Sequence, residues 1–254
     1  MVLEQLSKLT ENLPFIDKQD SEEHGIMTKK PQHLAITMEG VLTYCKMHKQ
    51  DYNECCKHSF NVLKEVISFQ IRTGIPIMTV HVLQEKMDKT LDIYAKLLDG
   101  LSEFLDALSI DEIIHKNKIK VTIFGKWYNM PGKVIDPIKK MLEETKDYDS
   151  FFLNFCINYD GQEEIVDSCK LIGRQIAAGK LAPESITKEV IKENSYSSYF
   201  IPPDLIVKTG IKTRIAGVLL WDSMNTIIYF TKKNWPELKQ SDMQKALKEF
   251  QSQA

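Results

Sequence analysis

Five apolar, β-branched-rich runs punctuate the chain: HLAITM from His33, IPIMTVHVL from Ile75, KIKVTIFG from Lys118, FFLNFCINY from Phe151 and DLIVKTG from Asp204. Each is only several residues long, the length and composition of a buried strand. Between them, Tyr52 to Arg72, Leu91 to Leu108, Lys133 to Lys146 and Glu163 to Ala178 carry apolar residues at three- and four-residue spacing, the signature of amphipathic helices. A last helix is signalled by Ser241 with Gln244 three residues later, a capping-box pattern ahead of Ala246, Leu247 and Phe250. Strand and helix patterns in alternation predict a single α/β domain, its mainly parallel central sheet flanked by helices on both faces. The domain is expected to run from residue 31 to 254 behind a polar leader, residues 1–30, with Tyr196 to Pro203 as a loop.

Composition narrows the partners. With 43% hydrophobic residues, 27% charged residues and a net charge of −2, the chain lacks the concentrated positive charge that nucleic acid requires, so no nucleic-acid partner is expected. No apolar run approaches a bilayer span, and MVLEQLSKLTENLPF has no basic region followed by a continuous apolar block. A cytoplasmic protein with at most peripheral membrane contact is expected. Five cysteines without CxxC spacing fit reduced thiols there. Cys45, His48, Cys55, Cys56 and His58 lie close in sequence but match no usual zinc pattern.

Ligands of parallel α/β sheets bind beyond the carboxyl ends of the strands. Glu39 and Gly40 lie at the end of the first predicted strand, and Lys208, Thr209 and Gly210 at the end of the last, so two distant stretches are expected to form one crevice. Dinucleotide and P-loop readings fail, because neither GxGxxG nor GxxxxGK[ST] is present.

Three stretches, HLAITMEG, LNFCINYDGQEEIVD and PPDLIVKTGIKTRIAGVLLWDSMNTIIYFTKKNWPEL, resemble in order and spacing the cis-prenyltransferase family, which includes undecaprenyl and dehydrodolichyl diphosphate synthases, and look most like its archaeal-type branch. The resemblance implies elongation of an allylic diphosphate with isopentenyl diphosphate, magnesium as cofactor, and a dimer. Carried over residue by residue, it implies Glu39 as the catalytic and metal-site carboxylate, and Gly40, Lys208, Thr209 and Arg214 as the diphosphate-binding set. Asn158, Tyr159 and Gly161 match a family turn, while Phe69, Met78 and Met87 are candidates for either core or a prenyl tunnel.

The departures are as specific. Where the family reads DGNRRW, Glu39 replaces the aspartate, and Val41, Leu42, Thr43 and Tyr44 replace the donor-diphosphate clamp. Lys208 replaces an arginine, Ala216 a serine, and Ile227 the glutamate that completes the family's magnesium site. The chain ends KEFQSQA, without the family's terminal RxG. The losses at the clamp, Ala216 and Ile227 imply a catalytically impaired subunit, in a homodimer or in a heterodimer with a catalytic cis-prenyltransferase subunit, whereas the missing RxG, common in the family's non-catalytic partners too, counts against that reading. The alternative is a stand-alone, atypical prenyltransferase acting on allylic prenyl diphosphates.

Overall fold

The computed structural model describes residues 29–253, so nearly all of the leader expected at residues 1–30 lies outside the described residues. Six strands form one sheet: β1 (His33–Thr37), β2 (Ile77–Gln84), β3 (Ile119–Phe124), β4 (Phe151–Tyr159), β5 (Leu205–Lys208) and β6 (Ile227–Phe230). Their order is β3-β4-β2-β1-β5-β6, and all five pairings are parallel. The last strand went unread in the sequence. It is four residues long and only half buried at the sheet edge, so it lacks the apolar density that marked the other five.

Strand geometry divides the core in two, because successive side chains point to opposite faces. Leu34 and Ile36, Met78 and Val80, Leu153 and Phe155, and Leu205 and Val207 enter a large cluster. Their alternates Ala35, Ile77, Cys156 and Ile206 enter a smaller one, closed by Phe200, Val218 and Leu219. Burial on both faces is what a parallel sheet demands, and it explains why these strands read as near-continuous apolar runs.

The helices are α1 (Val41–His48), α2 (Tyr52–Thr73), α3 (Asp92–Leu108), α4 (Glu112–Lys116), α5 (Gly132–Thr145), α6 (Gly161–Ala177), α7 (Lys188–Glu193) and α8 (Gln240–Gln253). Residues of α2, α3, α5 and α8 cover the large cluster, and Phe69 and Met78 are fully enclosed within it. Pro137 falls inside α5, where it cannot donate to the carbonyl of Lys133 four residues back. The hydroxyl of Ser102 on α3 donates to that carbonyl instead, at 2.7 Å, which lets the helix run through its proline.

Two boundaries differ from the sequence expectation. Val41 to Tyr44 form the first turn of α1, a helix outside the four amphipathic runs and the capped last helix expected from the sequence. Helix α8 starts at Gln240, so Ser241 lies inside it; half of a capping box is made two positions back, where Asp242 accepts from the Lys239 backbone N–H at 3.0 Å. An acid three residues into a helix satisfies an orphan amide just as a glutamine would.

Candidate functional site

The carboxyl ends of β1, β2, β4 and β5 meet in one crevice, and the two distant stretches come together there. Thr209 joins them. Its hydroxyl lies 2.6 Å from the Thr37 carbonyl oxygen, to which it donates, and accepts from the Glu39 amide at 3.0 Å. It is fully buried, so its work is to clip β5 to β1. Gly40 follows with φ 92°, and a Cβ there would fall 2.3 Å from the Asn234 Oδ1. Only glycine tolerates both the backbone angle and the approach.

The clip brings Lys208 to Glu39. The ammonium of Lys208 is 2.5 Å from Glu39 Oε1, with the lysine side chain wholly buried and the glutamate side chain 18% exposed. Gln84 on β2 donates its amide to the same oxygen at 3.1 Å. Burial holds the lysine below its ordinary range and nearby Arg214 lowers it further, while Glu39 opposes both. The pair therefore holds one oxygen of the Glu39 carboxylate, Oε1, between an ammonium and an amide.

Beside it opens a cavity of about 450 Å³, lined in part by His81, Gln84, Lys86, Asp160, Arg214 and Gly217. Lys86 is paired with Asp160 at 3.1 Å, and Asp160 also caps α6 by accepting from the Gln162 amide at 2.8 Å. Arg214 makes no ion pair among the described residues, so it is the cation at this cavity left free for an anion. The turn formed by Asn158, Tyr159 and Gly161 shapes the floor: a Cβ at Gly161 would meet the Gly217 carbonyl oxygen at 2.2 Å.

Other expected members lie apart. Ile227 opens β6 and pairs with Leu205, at the opposite end of the strands from Lys208. Cys45, Cys55 and Cys56 are buried free thiols, and His58 bonds the Pro236 carbonyl at 2.9 Å. Among the described residues, no group of three or more His, Cys, Asp or Glu side chains is placed to hold a metal ion. None of their helices is long and apolar enough to cross a membrane. Sequence reading missed His81, although a histidine within the apolar strand IMTVHVLQ was its one visible signal.

Comparison with known proteins identifies the family. Residues 37–254 match the prenyltransferase family model of undecaprenyl diphosphate synthase. The chain is 32% identical over 224 residues to a tritrans,polycis-undecaprenyl-diphosphate synthase (geranylgeranyl-diphosphate specific) of Picrophilus torridus, covering 87% of this chain and 88% of the relative. It is 27% identical over 241 residues to an isoprenyl transferase of Streptococcus agalactiae, covering 93% and 96%. Lavandulyl diphosphate synthase from Lavandula x intermedia, solved with dimethylallyl diphosphate, superposes with a TM-score of 0.81 at 21% identity over 87% of this chain and 95% of the other, a likeness of fold. The chain belongs to the undecaprenyl diphosphate synthase family of cis-prenyltransferases.

Proposed function

We propose that this chain is a catalytically impaired subunit of a heteromeric cis-prenyltransferase, contributing to the synthesis of polyprenyl diphosphate for a glycosyl-carrier lipid. The observation that carries the reading is the ion pair of Lys208 with Glu39. The carboxylate at the position of the family's metal-site acid already faces an ammonium and an amide. Magnesium needs oxygen ligands in near-octahedral array, whereas Glu39 Oε1 is held by an ammonium and an amide and Asp160 by Lys86 and the first amides of α6, so the residues present do not fit a metal held by the protein. No step of the reading runs through a metal.

Arg214 supports residual binding of an anion such as isopentenyl diphosphate at the cavity. Ionised donors make the strong bonds to phosphoryl oxygens, and arginine offers a planar fork. The clamp is another matter. Val41, Leu42 and Thr43 form the opening turn of α1, with Val41 buried, and supply no side-chain charge to a departing diphosphate. Each lost donor of that kind lowers the rate by about a hundredfold or more.

A partner is supported by the surface that follows the cavity. Leu220, Met224 and Phe230 are exposed, Met224 at 85%, and β6 is an unpaired sheet edge beside them. Exposed apolar side chains in one segment that leads into a free edge strand suit a protein interface. We assign the segment around Gly217 to Phe230 to dimer formation, with a catalytic subunit bearing DGNRRW as the partner. The second reading, a stand-alone atypical prenyltransferase, draws on the free Arg214 at the cavity.

The test is co-expression with a DGNRRW-bearing family member from the same genome. A stable complex that co-purifies, and that Met224→Asp disrupts, is expected. Two chains that elute separately at micromolar concentration, each unchanged by Met224→Asp, would remove the heteromeric reading.

A further inference from the structure

We propose that His81 is a ligand-binding residue of the cavity, donating a ring N–H to an oxygen of the diphosphate that Arg214 attracts. The inference rests on reading this cavity as a prenyl diphosphate site, and adds to it a neutral donor that the family motifs do not assign.

His81 is 4% exposed, and neither Nδ1 nor Nε2 has a hydrogen-bond partner. A buried polar group without a partner is costly and uncommon, and in a native protein it calls for an explanation in ligand, water or catalysis. His33, on the neighbouring strand and equally enclosed, shows the ordinary solution: its Nδ1 reaches the Ile201 carbonyl at 2.6 Å and its Nε2 reaches Thr79 Oγ1 at 2.8 Å. His115 is satisfied likewise, by the Tyr148 hydroxyl and the Ser109 carbonyl, both at 2.8 Å. His81 alone of these three faces a cavity, and it alone lacks partners.

Its neighbours supply none within hydrogen-bond geometry. Tyr159 packs edge-on, with ring centroids 5.5 Å apart and planes at 86°, but its hydroxyl donates to Glu164 Oε2 at 2.5 Å. The Tyr159 backbone oxygen accepts from the Glu85 amide at 3.1 Å; it favours a protonated His81 ring without reaching good hydrogen-bond geometry. Burial and the nearby Lys208 ammonium outweigh that oxygen and Asp160, and hold the ring at about 4. At neutral pH the imidazole is therefore uncharged, with one N–H to give and one lone pair.

The charge pattern of the cavity says what would take the proton donor. Lys86 is neutralised by Asp160 and Lys208 by Glu39, which leaves the single free charge on Arg214. A diphosphate carries more acceptor oxygens than one guanidinium satisfies, so it recruits neutral donors from the walls. The N–H of His81 is a buried donor of that wall that the fold leaves unused.

Full-length protein labelled with ¹⁵N-histidine, titrated at pH 7 with isopentenyl diphosphate and separately with inorganic pyrophosphate, tests this. The His81 ring nitrogens are expected to shift while those of His33 and His115 stay. By calorimetry, His81→Phe is expected to weaken binding about tenfold or more, with His81→Gln recovering part of the loss through its amide. His81→Phe is also expected to leave thermal stability unchanged or raised, since it removes an unpaired polar group; a purely structural histidine would lower it.

Wild-type affinity in both variants with unmoved His81 resonances overturns the inference. If Arg214→Ala abolishes binding in that case, the cavity reading stands without His81. A His81 shift with pyrophosphate but not with isopentenyl diphosphate supports the donor and removes the prenyl reading. No binding of either compound to the wild type overturns both.

Discussion

At the scale of residues, Lys208 and Glu39 illustrate what a sequence can and cannot disclose. Their places at strand ends, and hence their convergence, follow from parallel-sheet topology. That the ammonium of one is taken by the carboxylate of the other does not, because it depends on the clip that Thr209 makes to Thr37. The pair can be tested directly. Glu39→Ala strands a buried ammonium and is expected to destabilise the protein by roughly 3 kcal/mol in urea, whereas Glu39→Ala combined with Lys208→Met recovers most of that loss. Gly40→Ala, forced into a positive φ against Asn234, is expected to cost about 2 kcal/mol or more by the same measurement.

His81 belongs to this scale too, and gives a pH dependence with a definite sign. Its folded value of about 4 lies below the ordinary 6.5, so between those values the unfolded chain binds a proton that the folded one does not. Stability is intact above about 6.5 and falls as the pH drops toward 4. His33, also held at about 4, principally by burial, acts in the same direction. Comparison of wild type with His81→Phe isolates the one group. The variant is expected to lose less stability between pH 7 and 4.5, by roughly 2 kcal/mol, in urea unfolding at the two pH values.

Among elements, the five apolar strands and the long amphipathic helices were legible because burial on both sheet faces and 3.6-residue periodicity leave strong patterns. Edges were not. Strand β6 is short and half exposed, so its composition reflects the surface, and α8 declared its cap through Asp242 rather than Ser241. Helix α6 shows how one element serves the site. Asp160 accepts from the amides of Gln162 and Glu163 while pairing with Lys86, so the same carboxylate starts the helix and neutralises the cavity wall. Asp160→Ala is expected to lower stability by about 1 kcal/mol through the lost cap, and to free Lys86 as a second cation at the cavity. Tighter binding of pyrophosphate by that variant, measured by calorimetry, is the accompanying signature; weaker binding would show that the Lys86 pair helps to hold the cavity open.

For the molecule as a whole, the fold is that of a cis-prenyltransferase, and under the proposed function the charged groups around its crevice are rearranged. Residues 37–254 carry the family pattern, yet the positive charge of Lys208 is internal and the clamp positions open an apolar helix turn. Scaffold and chemistry separate readily in this way, since the sheet needs buried apolar residues whereas catalysis needs a few charges at its rim. The most direct test of the account is incorporation of radiolabelled isopentenyl diphosphate by the protein alone, with geranylgeranyl or farnesyl diphosphate and magnesium supplied. Incorporation near background is expected, rising only when a DGNRRW-bearing subunit is added; robust elongation by the isolated chain would contradict the account.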